Sequence, residues 1–191
     1  TPDIYGIVFC RTRQETKDIA DKLMSDGYNA DALHGDLSQA QRDYVMGRFR
    51  TRALQILVAT DVAARGLDVD NLTHVIHYHL PDDPENYIHR SGRTGRAGRK
   101  GMSIAILAPS ETRRVSFLEK QTGKKLTKRE IPAGTEVFQQ RLQNYLTDLV
   151  NTDTSKFDIN KYSESISAAF EDLSREEIIE KLIASQFNTL H

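Results

Sequence analysis

Short apolar runs alternate with amphipathic segments through the first two thirds of the chain, and this alternation constrains the fold more than any other feature. Runs suited to buried strands lie at residues 4–10, 30–33, 56–59, 75–80 and 103–107. The segments between them carry apolar residues at helical spacing. Because strands joined by crossover helices pair in parallel, the sequence predicts an open α/β sheet flanked by helices.

Local signals mark where several of these helices begin. Thr12 with Glu15, and Ser38 with Gln41, have the spacing of capping boxes, in which each side chain of a pair binds the other's backbone N–H. Pro84 suits the first turn of a third helix, where its missing N–H costs nothing. A further helix is predicted over residues 110–122.

Charge divides the chain into two parts. Residues 1–130 hold 21 Lys and Arg against 17 Asp and Glu, whereas residues 131–191 hold 5 against 10. The basic first part is suited to phosphate and the acidic second part is not.

Composition excludes some classes of protein. No apolar run approaches the roughly 20 residues that span a bilayer, and no signal peptide opens the sequence. The single cysteine, Cys10, lies in an apolar run and is predicted to be a buried small hydrophobe rather than a catalytic thiol. These features predict a cytoplasmic protein without a membrane partner.

Polar and glycine-rich segments follow the predicted strands, where open α/β sheets gather their ligands. They occupy residues 11–13, 34–36, 60–68 and 89–99. In the last of these, arginine alternates with glycine, so that guanidinium groups can grip phosphate while the backbone approaches closely. A flexible segment that binds nucleic acid loosely is the alternative, but its position between two strands argues against disorder.

Four segments of the chain resemble known motifs, and three of them overlap the segments above. They read I-V-F-C-R-T-R (7–13), Q-A-Q-R (39–42), V-A-T-D-V-A-A-R-G-L-D (58–68) and H-R-S-G-R-T-G-R (89–96). In this order they resemble motifs IV, Q-x-x-R, V and VI of the DEAD-box RNA helicases. Residues 4–132 are therefore similar to the C-terminal RecA-like domain of that family. His89 and Thr94 favour this branch over a related DNA helicase, which remains an alternative.

The resemblance implies a nucleotide site. Arg93 and Arg96 match arginine fingers that reach the γ-phosphate of ATP, which is held with Mg²⁺ mainly by an N-terminal RecA-like domain. Asp68, with Gly66 beside it in the motif, matches a contact to the ribose hydroxyls. From spacing alone, Asp68 would rather be interpreted as the cap of a helix or turn.

The resemblance also implies RNA and interdomain contacts. Arg13, Gly35, Arg42 and Thr60 match residues on the RNA-binding side. The cleft between the two domains is expected to be organised by Arg65 and His89. A surface ion pair is the simpler interpretation of an isolated arginine such as Arg65.

Two motifs of a complete ATPase do not occur in this sequence. It contains neither the phosphate-binding pattern G-x-x-x-x-G-K-[ST] nor Asp-Glu-Ala-Asp. The resemblance assigns both to the N-terminal domain, so this chain alone is expected to be inactive as an ATPase. By itself it is expected to act as a non-enzymatic RNA-docking or oligomerisation module.

Three histidines, His74, His77 and His79, cluster on one predicted strand. Alternation places His77 and His79 on one face. Without a carboxylate or thiolate companion they make a weak zinc site, so no metal is predicted. The family usually has aspartate at the position of His79.

Beyond the turn at residues 131–134 the pattern becomes helical, which predicts domains at 1–132 and 133–191. Three helices are expected, the last opened by a Ser174–Glu177 capping box. This all-α extension resembles the dimerisation region of bacterial cold-shock-type DEAD-box helicases. A homodimer through residues 135–187 is predicted, and a helical cap on the chain's own domain is the alternative. The predicted seam contains Phe170, Ile179, Ile183 and Phe187.

Overall fold

The computed structural model describes residues 4–65, 69, 71–95, 98, 100–156 and 158–187. They form two units, Thr1–Leu126 and Thr127–His191. The boundary predicted from the sequence, between residues 132 and 133, remains a prediction.

The first unit contains the parallel sheet that the alternating pattern predicts. Its strands are β1 (Gly6–Cys10), β2 (Ala30–Leu33), β3 (Ile56–Thr60), β4 (His74–His77) and β5 (Met102–Ala105). Their order is β2-β3-β1-β4-β5, and every neighbouring pair is parallel. The α/β fold is therefore confirmed.

Helices cover both faces of this sheet. They are α1 (Arg13–Ser25), α2 (Gln39–Arg50), α3 (Asp61–Ala64), α4 (Pro84–Ser91) and α5 (Thr112–Thr122). On one face, Phe49 of α2 packs into a buried cluster with Leu57. On the other, Ala20 of α1 packs with Val58 and Cys10. Cys10 is 1% exposed, and burial first of all raises the pKa of its thiol to about 12, so the predicted buried hydrophobe is confirmed.

Two strands end earlier than their apolar runs suggest. β4 was expected over 75–80 but ends at His77, and β5 was expected over 103–107 but ends at Ala105. Beyond β4, the backbone carbonyls face arginine side chains: Arg90 donates to His79 O at 3.2 Å, and Arg114 to Pro81 O at 3.0 Å. Tyr78 still donates its N–H to Phe9 O at 3.0 Å, whereas the carbonyls of His79 and Pro81 have arginine side chains as partners.

The helix-starting signals are mostly confirmed. Ser38 and Gln41 form the complete capping box at α2, and Thr12 Oγ1 accepts the Glu15 N–H at 3.1 Å. At α1 the first half of the predicted box is confirmed. The Glu15 carboxylate accepts the N–H of Arg11 at 2.8 Å, a partner that the box does not include, and the backbone N–H of Thr12 also lowers the pKa of Glu15. Pro84 opens α4 as predicted, and α5 begins at Thr112 after a short 3₁₀ turn.

The second unit consists of α6 (Gly134–Val150), α7 (Ser163–Phe170) and α8 (Arg175–Phe187). The predicted three helices and the Ser174–Glu177 capping box are confirmed. Phe187 packs its ring against Phe138, with centroids 5.3 Å apart, and against Tyr145 at 5.7 Å. None of the described residues of this unit is fully buried.

Within the described ranges, each helix is too short or too polar to cross a lipid bilayer.

Candidate functional site

The residues that follow β1 and β2 form the first cluster of the site. Arg13, the first residue of α1, pairs its guanidinium with Asp36, and Lys17 Nζ lies 3.8 Å from the same carboxylate. Gly35 lies beside this pair, since a Cβ there would stand 3.9 Å from Arg13 Cδ. Because two cations share one carboxylate, the cluster keeps a net positive charge. The Arg13 side chain is exposed to solvent.

A second cluster joins α2 to the end of β3. Arg42 donates from Nη2 to the carbonyl oxygen of Ala63 at 2.6 Å. Thr60 caps α3, because its Oγ1 accepts the N–H of Ala63 at 3.3 Å. Thr60 as a whole is 8% exposed. The structure thus brings Arg42 and Thr60 together at Ala63, and it places Arg13 next to Gly35.

An ion pair between the buried Arg90 and the half-buried Asp61 joins motif VI to motif V. Arg90 Nε donates to Asp61 Oδ1 at 2.6 Å, and Nη2 to Oδ2 at 2.5 Å. Arg90 is 5% exposed, and its guanidinium lies 4.9 Å from the centre of the Phe9 ring. Sequence reasoning placed Arg90 in the motif without giving it a role. The sequence did contain a signal for an inward-facing arginine. Arg90 lies one helical turn after Tyr87, on the same face of the predicted helix as this large aromatic residue.

Arg93 lies in the turn that follows α4. Its N–H donates to Arg90 O at 3.1 Å, and its carbonyl accepts the Leu72 N–H at 3.3 Å. The next residue, Thr94, donates its N–H to Ser91 O at 3.2 Å and its hydroxyl to Leu72 O. The backbone at Arg93 is therefore held from both α4 and the segment before β4.

Only some of the remaining predicted site residues lie in the part of the chain that the structure describes. Arg65 is the exposed C-cap of α3, and its N–H donates to Asp61 O at 3.0 Å. His89 is exposed on α4. The predicted finger Arg96 and the predicted ribose contacts Gly66 and Asp68 lie outside the described residues.

The clustered histidines have protein partners. His79 Nε2 lies 2.6 Å from Glu15 Oε1, and His77 Nε2 lies within 3.2 Å of two serine hydroxyls. Burial raises the pKa of Glu15, but the hydrogen bonds from Arg11 N–H and His79 outweigh it and lower the pKa overall. Among the described residues, no group of three or more His, Cys, Asp and Glu side chains is arranged to hold a metal ion.

Two families match the sequence. The helicase conserved C-terminal domain matches residues 4–98, and the helical domain of a probable ATP-dependent RNA helicase matches residues 137–191.

Known proteins extend the match over most of the chain. The DEAD-box ATP-dependent RNA helicase CshA of Bacillus subtilis is 39% identical over 167 residues, which cover 87% of this chain and 34% of that protein. The chain thus spans about a third of the length of the curated relatives it matches.

Solved structures agree with this likeness. The E. coli DEAD-box protein SrmB, bound to regulator of ribonuclease activity A, is 33% identical with a TM-score of 0.64, covering 69% of this chain and 78% of that one. Dbp5 of S. cerevisiae, bound to RNA and ADP BeF3, is 32% identical with a TM-score of 0.62, covering 73% and 37%.

Proposed function

Because the chain belongs to the DEAD-box ATP-dependent RNA helicases, as their C-terminal helicase domain, we propose that it forms the second RecA-like half of an enzyme that uses ATP to rearrange RNA. The first half is an N-terminal RecA-like domain. The observation that carries this proposal is the ion pair of the buried Arg90 with Asp61, which fixes the motif V segment to the helix of motif VI. Residues from both motifs would then act as one surface toward the nucleotide.

The nucleotide part of the proposal concerns Arg93 and Arg96. Their guanidinium groups would face the γ-phosphate of ATP, which is held with Mg²⁺ mainly by the N-terminal domain. The nucleotide supplies a phosphoryl group whose oxygens gain charge during transfer, and fixed guanidinium groups stabilise that charge. The two backbone anchors of Arg93 support this role, since a finger must be held in place. Gly66 and Asp68 would meet the ribose.

The RNA part of the proposal concerns the two clusters at the ends of β1, β2 and β3. Arg13 and Arg42 would neutralise phosphates, Thr60 would offer its hydroxyl, and Gly35 would allow the RNA backbone to approach. The positive balance around Arg13 supports this. Dbp5, which is 32% identical, has been solved with RNA and ADP BeF3 bound, and that complex also favours an RNA contact.

The exposed Arg65 and His89 would organise the cleft between the two RecA-like domains. We also propose a cytoplasmic location, which the buried free thiol of Cys10 supports.

The test uses a two-domain helicase in which this chain follows an N-terminal helicase domain. Arg93→Ala should lower the kcat for ATP by about 10³-fold, the scale of arginine fingers, while the Kd for RNA changes little. The matched control is Arg113→Ala, which removes an exposed arginine of α5. Unchanged ATP turnover in the Arg93 variant would remove the assignment.

A homodimer through residues 135–187 is the second part of the proposal. Large apolar side chains remain exposed on all three helices of the second unit, among them Val137, Phe138, Leu146, Ile166, Phe170, Ile179 and Leu182. An isologous interface would bury the same patch twice. The predicted seam needs one correction: Ile183 and Phe187 are half-buried within the unit, which leaves Phe170 and Ile179 as its exposed members.

A further inference from the structure

His77 lies at the meeting point of three elements of the first unit. It belongs to β4, is fully buried, and stacks on the ring of Tyr87 of α4 with centroids 4.6 Å apart. Its Nε2 lies 3.2 Å from Ser91 Oγ, at the end of α4, and 3.1 Å from Ser103 Oγ on β5. A single imidazole therefore contacts both the helix that precedes Arg93 and the neighbouring strand.

Arg90 determines which nitrogen of His77 carries the proton. The guanidinium Nη1 of Arg90 lies 3.5 Å from Nδ1, and a guanidinium can only donate hydrogen bonds. Nδ1 must then present its lone pair, so the proton lies on Nε2 and points to the serine hydroxyls. An imidazolium would aim a second N–H at a cation, so the neutral form is the one this site accepts.

The charges around the imidazole agree with that assignment. Burial, followed by the charge of Arg90, lowers the pKa of His77 to about 3, and Asp61 acts in the opposite direction. The ring is therefore neutral at every pH near neutrality. The polar chain runs from Asp61 of α3 through Arg90 and His77 to Ser91 and Ser103, and each link is a described contact.

We propose that His77 is a positioning residue for Arg93: its Nε2-protonated imidazole fixes the C-terminal turn of α4 against β5. The connection is short. Arg93 and Thr94 donate their N–H groups to the carbonyls of Arg90 and Ser91, two of the three α4 residues that His77 contacts. A shift of that turn would move Arg93 with it. This inference rests on the proposed finger role of Arg93, but its structural half can be measured separately.

The structural half is tested on this chain by hydrogen exchange. His77→Leu should speed exchange at the amides of residues 87–94 by about tenfold or more, while α2 is unaffected. The hydroxyls of Ser91 and Ser103 lie 2.9 Å apart and can bind each other, so the variant leaves neither without a partner. His77→Gln should restore protection, because its amide nitrogen can occupy the place of Nε2. Unchanged exchange in the leucine variant would overturn the proposal.

A milder variant guards against loss of folding. Ser91→Ala combined with Ser103→Ala keeps the imidazole and removes both of its hydroxyl partners. It should speed exchange at residues 87–94 in the same way. Wild-type exchange in this double variant would also overturn the proposal.

The functional half is tested in the two-domain helicase. His77→Leu should lower kcat for ATP by about 10- to 100-fold, the cost of misplacing a catalytic group, and leave the KM for ATP and the Kd for RNA unchanged. His77→Gln should recover most of kcat. A leucine variant that raises KM instead, or a folded glutamine variant as slow as leucine, contradicts the positioning role. If Arg93→Ala itself has no effect, the finger assignment fails while the exchange result still reports on His77.

Discussion

The two units of this chain stabilise themselves in different ways. The first buries whole side chains on both faces of its sheet and adds an internal polar network around Arg90. The second has three helices and a ring cluster at Phe187, yet none of its described residues is fully buried. Helical periodicity alone therefore predicts where helices form. Whether a unit is stable without packing on another surface depends on how much apolar surface it buries in its own core.

The largest contrast should come from removing one charge in each unit. Asp61→Asn leaves the guanidinium of Arg90 buried without its counter-charge and should lower the unfolding free energy of the first unit by about 3 kcal/mol. Asp158→Asn, in an exposed pair with Lys161, should have no measurable effect on the second unit. Urea unfolding, monitored by hydrogen exchange on peptides from each unit, measures the change in unfolding free energy of the two units separately. Equal losses of unfolding free energy in the two variants would contradict the proposed difference between the units.

Acid should destabilise the first unit more than the second. The pKa of His77 is lowered in the folded state, so the unfolded state binds more protons between pH 6.5 and about 3. Stability is therefore lost as pH falls through that window. The pKa of Glu15 is also lowered in the folded state, so protonation of this carboxyl at acid pH removes further stability as the pH falls. The charged groups around His77 are Arg90 and, through it, Asp61.

The control for this pH effect is His77→Gln, which does not titrate. Its unfolding free energy should vary less between pH 6.5 and 4 than that of the wild type, as thermal melts in matched buffers would reveal. Parallel curves for the two proteins would exclude His77 as the source.

Association should depend on the second unit. Ile179→Asp would bury a carboxylate from each copy in the proposed seam and should weaken the dimer by about 100-fold. Light scattering at micromolar concentration measures the mass. The control is Val62→Asp, which places the same charge at a more exposed apolar position, in the first unit and outside the proposed seam. A monomeric wild-type chain would support the helical cap instead of the dimer.

The smallest expected effect concerns RNA. Binding of single-stranded RNA should weaken with salt through the first unit alone, because the second carries an excess of acidic residues. Removing Arg13 and Arg42 together should reduce the slope of log K against log salt by about 1.4, two phosphates at about 0.7 each. Arg50→Ala, an exposed arginine at the end of α2, is the control. An unchanged slope would move the RNA surface elsewhere.

Local patterns account for what the sequence predicted correctly. Apolar runs marked the five strands, and the pair Ser38 and Gln41 marked the start of α2. Both kinds of feature depend on residues that are close together in the sequence. Arg13, Gly35 and Thr60 also lie at or just after the carboxyl ends of their strands, where open α/β sheets gather ligands. Motif VI departs from this expectation, because the backbone of Arg93 bonds to Leu72, ahead of β4.

Contacts between distant residues account for what it missed. Asp61 and Arg90 lie 29 positions apart, and nothing in either segment's spacing selects the other as a partner. The early end of β4 depends on guanidinium groups from α4 and α5. The Glu15 carboxylate accepts the N–H of Arg11 and also contacts His79, which comes from the segment that follows β4.

The strand order has a consequence for synthesis on the ribosome. β1 is made first but occupies the centre of the sheet, where its partners are β3, beginning at Ile56, and β4, beginning at His74. At about 5–20 residues per second, its apolar stretch Gly6–Cys10 waits on the order of 10 s for both neighbours to emerge. During that interval the nascent chain displays an unpaired, aggregation-prone strand, so its yield in cells should respond to chaperone supply and to translation speed over residues 11–77.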